Sequence, residues 1–292
     1  MSVAGIADTN PVAVSVACRR FGLERGFADA LRLIDVVEAD GIVVATPLSS
    51  HVEIAAYALS RGLGVLLEKP VASTAAEARR LQSVAKDAKG FVLPGHVLRF
   101  STEHRHLVEI AKSGRIGSVI YVNSRRYRDD AHVQRYPDID PVLMTLIHDI
   151  DLAQWIAGSP FGSVKARRSG SRGARSMTIA SIGMANGVIC DLRTAWTFES
   201  SNDPPDCLEV VGERGSVELV AGQGLRIYAD GLRSDVPLEP ADDALRNEQD
   251  HFLACLRDRA LTPALGLEEA IAGLELAEAV IKSLHSGRET GA

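Results

Sequence analysis

Two groups of residues combine side-chain types that can do chemistry together. Glu68-Lys69-Pro70 closes the apolar run Gly64-Val65-Leu66-Leu67, and Ile147-His148-Asp149-Ile150-Asp151 follows far downstream. The first sets an ammonium at the carboxyl end of a buried strand. The second sets an imidazole and, three residues on, the Asp151 carboxylate on one face of a helix. Taking a hydride from an alcohol needs one group to accept the hydroxyl proton and another to steady the oxygen. Imidazole titrates near neutrality and suits the first task. Lys69 suits the second, as a donor that lowers the pKa of a bound hydroxyl. Both residues also have plainer readings: Lys69 in a surface turn, and His148 as a core histidine bonded to Asp151. A metal role is weaker, because the other histidines show no compact ligand spacing around this pair.

The elements that must position these groups begin with a short strand over 3–7. Asn10 as N-cap, Pro11 at the first helical position, and Arg19-Arg20-Phe21-Gly22 as a basic last turn with a glycine stop then predict a helix. The β-branched Val12-Ala13-Val14-Ser15-Val16 pulls the other way, toward strand. Gly41-Ile42-Val43-Val44-Ala45-Thr46-Pro47 reads as a parallel strand covered on both faces. Ser49 or Ser50 should cap a helix over 51–61, ended by Gly62 and Gly64. A buried strand at 65–67, a helix over 74–86 and a strand at 91–93 continue the alternation. Such βα units imply a doubly wound α/β sheet with right-handed crossovers.

The pattern changes near Gly95. A helix over 101–113, a long strand over 118–127 and a helix over 140–157, opened by Asp140-Pro141, come next. From Phe161 to Asp230 only strands and turns are expected, with Asn186-Gly187 and Asp230-Gly231 marking antiparallel hairpins. Helices near 241–257 and 267–286 finish the chain.

At 292 residues the chain has room for two domains, and 46% hydrophobic with 24% charged residues is ordinary for a soluble protein. A net charge of −6 and a pI near 5.8 argue against a nucleic-acid partner. No apolar run reaches the ~18 residues of a membrane span, and no export signal opens the chain. Cys18, Cys190, Cys207 and Cys255 are widely spaced, which fits reduced thiols in a cytoplasm rather than a disulfide frame or zinc site.

Three further segments are candidates. Asp8 ends a strand before a helix, where an acidic residue binds ribose hydroxyls in dinucleotide folds and its charge would favour NAD over NADP; a solvated turn aspartate is the alternative. Thr46-Pro47-Leu48-Ser49-Ser50-His51 follows a strand at its carboxyl end, where open α/β sheets bind ligands; a capped strand-to-helix turn explains it equally well. Arg125-Arg126-Tyr127-Arg128 and Arg167-Arg168…Arg172…Arg175 could hold a phosphate or carboxylate, or be solvated strand and hairpin residues.

Taken in order, Ala45-Thr46-Pro47 with His51, Glu68-Lys69-Pro70-Val71, Gly95-His96-Val97-Leu98-Arg99-Phe100, Gly114-Arg115-Ile116-Gly117, His148-Asp149-Ile150-Asp151 and Val210-Val211-Gly212-Glu213-Arg214-Gly215-Ser216 resemble the Gfo/Idh/MocA family (glucose–fructose oxidoreductase/inositol dehydrogenase) across nearly the whole chain. The resemblance implies a Rossmann domain over 1–97. It also implies an α+β substrate domain over 98–292, whose open antiparallel sheet commonly makes a homodimer or homotetramer. It further implies NAD(P)-dependent oxidoreductase chemistry at a carbinol carbon of a sugar, inositol or related polyol. In that scheme Lys69 bonds the reacting oxygen and His148 exchanges its proton. Asp8, Thr46, Pro47, His51, Glu68, Lys69 and Pro70 face the cofactor, with NADP as the alternative to NAD. Arg99, His148 and Asp151 face the substrate.

Two departures stand out. Many members carry an aspartate four residues before the histidine, where this chain has Met144. Members also open with a strand, a glycine-rich phosphate turn and a helix, roughly 25–30 residues within a βαβ unit, ahead of the strand that ends at Asp8. The expectation is a longer natural protein whose full form is the active dehydrogenase. The competing expectation is a non-catalytic sugar-binding or assembly relative with impaired cofactor binding.

Overall fold

A computed structural model describes residues 2–129, 131–170, 175–198, 203–237 and 243–292. The chain divides into two compact units. One comprises residues 1–95 and 249–271, the other 96–248 and 272–292. The division falls after residue 95 and residues 249–271 return to the first unit, whereas the sequence reading drew continuous domains over 1–97 and 98–292.

The first unit alternates β1 (Ile6–Ala7), α1 (Pro11–Phe21), β2 (Gly26–Phe27), α2 (Ala30–Val36), β3 (Gly41–Val44), α3 (His51–Ser60), β4 (Gly64–Glu68), α4 (Ala75–Asp87) and β5 (Val92–Gly95). In α1 the capping signals override strand propensity. The Asn10 side chain accepts from the Val12 and Ala13 N–H groups, and Gly22 closes the helix at φ 64°. β2 and α2, the latter capped by Asp29, had no counterpart in the sequence reading. The helix after β3 is capped differently from expectation. Leu48–Ser50 forms a 3-10 turn, and the Ser50 hydroxyl donates to Pro47 O and meets Thr46 Oγ1, each at 2.8 Å, instead of capping.

All strand pairs in this unit are parallel, as anticipated, but they lie in two sheets, β1–β2 and β3–β4–β5. β4 is central and buried along Gly64–Leu67. β3 is an edge strand despite its central-strand composition, and Val43 is 54% exposed. Residues 249–271 pack against the start of this sheet. Gly41 and Gly64 make room for them: a Cβ on Gly64 would stand 2.5 Å from Leu256 Cδ2. Phe252 meets Phe91 edge-on with ring centroids 5.7 Å apart.

The second unit holds α5 (Thr102–Lys112), β6 (Val119–Asp129), α6 (Ala131–Arg135), α7 (Ile147–Ala157), β7 (Phe161–Ser169), β8 (Ser176–Met184), β9 (Ile189–Phe198), β10 (Cys207–Gly212), β11 (Gly215–Val220), β12 (Gly224–Ala229), β13 (Leu232–Val236), α8 (Ala244–Arg257), α9 (Leu267–Ser286) and β14 (Thr290–Gly291); α8 and α9 each extend into the first unit. Among the described residues nine strands form one sheet in the order β13-β12-β11-β10-β6-β9-β8-β7-β14. It is mixed rather than purely antiparallel, because β6 and β9 pair in parallel at its centre. One face buries a cluster that includes Leu107, Val122, Ile150, Ile182, Leu192, Val210 and Leu276. The other carries Tyr121, Asn123, Asp191, Arg193, Glu209, Glu218 and Arg226 in cross-strand register.

Phe252→Ala tests the discontinuous first unit. Removing this buried ring from Phe91 should destabilise the protein by about 3–5 kcal/mol in a urea titration.

Candidate active site

In the first unit the strands set the candidates. Parallel register aligns Val44 with Leu67 and Glu68 with Gly95, so Thr46-Pro47 and Glu68-Lys69-Pro70 leave adjacent strands at the same carboxyl edge. His51 ties the two turns together. Its ring is 2% exposed, with Nδ1 2.9 Å from the Pro70 carbonyl oxygen and Nε2 2.8 Å from that of Thr46. Both ring nitrogens are therefore committed to backbone, and His51 acts on its surroundings by holding two loops. Glu68 Oε2 accepts from the Lys69 N–H at 3.2 Å. Gly95 lies close beside Glu68: a Cβ there would stand 3.1 Å from Glu68 Cα. Lys69 and Thr46 are half-buried, and the Lys69–Pro70 peptide is cis.

This edge fits one part of the dinucleotide that the resemblance implies. Thr46, Pro47, Glu68, Lys69 and Pro70 line a strand crest of the kind where open parallel sheets receive ligands. The turn after β1 fits less well. Asp8 is exposed, and its Oδ1 accepts from the Asn10 N–H at 2.7 Å. The N-terminus of α1 is no phosphate cradle, because Asn10 takes two of its donors and Pro11 has none.

The second unit supplies His148, half-buried on α7. The expected helix over 140–157 is present from Pro141 to Ala157, but its first part is wound as π rather than α. Residues Val142–Leu146 form a π-turn and Ile147–Ala157 the α-helix, which stops at Gly158 with φ 60°. Such π-turns are uncommon and recur at functional sites. Asp140 opens the segment as anticipated, accepting from the Val142 N–H, and its carboxylate also forms a two-pronged pair with Arg168. Thr145 accepts from the Trp196 indole at 2.9 Å. Met144, half-buried, lies inside the π-turn.

The carboxylates flanking His148 are both occupied by arginines. Asp151, 3% exposed, is bound by Arg99 through two hydrogen bonds of 2.8 Å. These two residues, expected to face the substrate, direct their charges at one another, and Arg99 also covers the Trp155 ring at 4.6 Å. Asp149, 1% exposed, is bound by Arg126 at 3.0 and 3.2 Å. Arg126 also donates to Asp206, whose two oxygens receive Arg128 at 2.8 and 2.9 Å. Burial pushes the Asp149 carboxyl above its ordinary pKa against the pull of Arg126. Burial also lifts Asp206, but Arg128 and Arg126 outweigh it and hold that carboxyl below the usual range.

The reading of the basic clusters as solvated strand residues thus fails for Arg126, Arg128 and Arg168, which are paired inside the unit. It holds for the exposed Arg167. Arg172 lies outside the described residues. Asp140, Asp149 and Asp206 were missed. For the pairing of Asp149 and Asp206 the one sequence signal was Arg126 and Arg128 at a spacing of two, which puts both on the same face of a strand. Among the described residues no group of histidine, cysteine and carboxylate side chains could hold a metal ion, and no helix is long and apolar enough to cross a membrane.

Comparison with known proteins adds the following. Residues 1–96 match the model of an oxidoreductase family with an NAD-binding Rossmann fold, and residues 104–218 match the GFO/IDH/MocA C-terminal domain. Inositol 2-dehydrogenase 2 of Saccharopolyspora erythraea is 27% identical over 298 residues, spanning 98% of this chain and 86% of that protein. Inositol 2-dehydrogenase of Leifsonia xyli is 29% identical over 212 residues, spanning 70% of this chain and 62% of that one. The fold is shared with an oxidoreductase from Agrobacterium radiobacter, solved in complex with NAD+, L-tartaric acid and magnesium. That match has a TM-score of 0.88 at 19% identity and covers 99% of this chain and 91% of the other.

His51→Ala should leave the Thr46 and Pro70 carbonyls without their buried partner. The expected loss is about 1–3 kcal/mol of stability by urea titration, with His51→Asn recovering part of it.

Proposed function

The chain belongs to the Gfo/Idh/MocA family of NAD-binding oxidoreductases, and from that premise we propose that it oxidises a carbinol carbon of inositol or a related polyol, and reduces the corresponding ketone. The observation that carries this reading is the crest of β3 and β4, where Thr46-Pro47 and Glu68-Lys69-Pro70 stand side by side, locked by His51. NAD, when bound there, supplies the two-electron acceptor.

The roles of the chain's own residues follow from their chemistry. The Lys69 ammonium donates to the substrate oxygen and stabilises negative charge as it develops there. His148 takes the hydroxyl proton as the C–H bond surrenders its electron pair, and returns it in the reverse direction. Asp8 accepts from ribose hydroxyls and disfavours a 2′-phosphate, so NAD is the preferred form. Arg99 and Asp151 serve as a mutually neutralised pair at the substrate side. With Met144 in place of a third acid–base group, proton exchange falls to His148. The open face of the nine-stranded sheet is proposed as a homo-oligomer contact. It carries the exposed Ile179, Ile189 and Tyr228 in register with its charged ladder.

A second reading rests on the capped N-terminus of α1 and on Met144: a protein that binds a polyol without turning it over. NADH fluorescence titration separates the two. Micromolar binding supports the dehydrogenase, and no binding by a folded protein supports the second reading.

His148→Asn should lower the turnover of myo-inositol with NAD by about 10²- to 10⁴-fold. Lys69→Ala should also cut turnover sharply while leaving NADH binding largely intact. Turnover equal to wild type in either variant removes that residue from the mechanism. Ile179→Asp combined with Ile189→Asp should shift the mass measured by light scattering toward the monomer. An unchanged mass moves the contact elsewhere.

A further inference from the structure

We propose that the buried chain Asp149–Arg126–Asp206 is a positioning device for His148, a role distinct from binding substrate; the inference rests on the reading of His148 as the proton acceptor. Successive residues of an α-helix are about 100° apart around its axis. Asp149 and Asp151 therefore leave α7 in directions about 200° apart, on nearly opposite sides. Each is gripped by a two-pronged arginine from a separate segment, Arg126 on β6 and Arg99 in the 3-10 turn Val97–Phe100. A helix held at two opposed points cannot roll, and His148 projects from the arc between them.

Two observations favour positioning over plain stability. The first is the cost of burial. Asp149 is 1% exposed and Arg126 6%, and apolar residues in place of such a pair are often neutral or stabilising. The pair therefore makes its case through geometry. The second is the π-turn Val142–Leu146 immediately before α7. Its wider hydrogen-bonding pattern makes the entry to the helix a poor reference for rotation, so the register of His148 must be set from the side. The sheet does this, because Arg126 lies on β6 with its neighbour Arg128 sharing Asp206.

The test combines kinetics with a spectroscopic readout that needs no substrate. Asp149→Asn should lower kcat for myo-inositol with NAD by about 10- to 100-fold, the penalty typical of a small misplacement, with KM and NADH affinity changed less than about twofold. In a His148→Asn background the same substitution should cost less than about twofold more, because it acts through the missing ring. In the protein without cofactor, the His148 imidazole signal, assigned by its loss in His148→Asn, should shift or broaden in Asp149→Asn. Arg126→Lys, which keeps the charge but loses the fork, should reproduce these effects and carries the test if Asp149→Asn does not fold. A folded Asp149→Asn with wild-type kcat and an unmoved His148 signal overturns the proposal. So does a loss that multiplies undiminished in the His148→Asn background. Full turnover by His148→Asn would instead overturn the assignment of His148, and the positioning role with it.

Discussion

A guanidinium almost wholly removed from water, held between two carboxylates, fixes the second unit around its catalytic candidate. Arg126 comes from the central strand of the sheet, Asp149 from the helix above it, and Asp206 from the entry to the next strand. Breaking such a group apart is costly, because whichever charge remains is stranded in a low-dielectric interior. The three elements are therefore obliged to move as one. The apolar cluster beneath α7 supplies the bulk of the cohesion, but apolar packing is tolerant of small rotations and a forked ion pair is not.

The first unit solves the same problem with one histidine ring set between two loops. Two loops that carry candidate chemistry leave neighbouring parallel strands, and loops are the mobile parts of most folds. His51 sits below both and engages a carbonyl from each. A histidine inside a family motif invites a role at the ligand. Here its contacts put it one layer deeper, where it gives the Lys69 turn a defined relation to the Thr46 turn.

Much of the architecture was legible in the residues. Asn10-Pro11 and Gly22 bounded α1 correctly against its β-branched interior, and the apolar β4 was read correctly as buried. Local signals of this kind act over a few residues and need no tertiary context. What escaped the sequence reading was set by distant partners. The parallel pairing of β6 with β9 depends on which strands meet across a crossover. The π-turn ahead of α7 carries Thr145 and follows Asp140, whose partners Trp196 and Arg168 lie far along the chain. The basic strand residues looked solvated because nothing in their neighbourhood revealed that Asp206 and Asp149 would reach them. The return of residues 249–271 was hidden for the same reason: it depends on Gly41 and Gly64 being small where Phe252 and Leu256 arrive.

The edge position of β3 has a practical bearing on how the protein behaves in solution. An apolar strand paired on one side only, as β3 is among the described residues, offers a template to any other extended chain. Intermolecular strand pairing is second order in protein, whereas folding is first order. Recovery from denaturant should therefore fall as the protein is concentrated, and dilution, or a lysine at Val43, would favour the monomeric route.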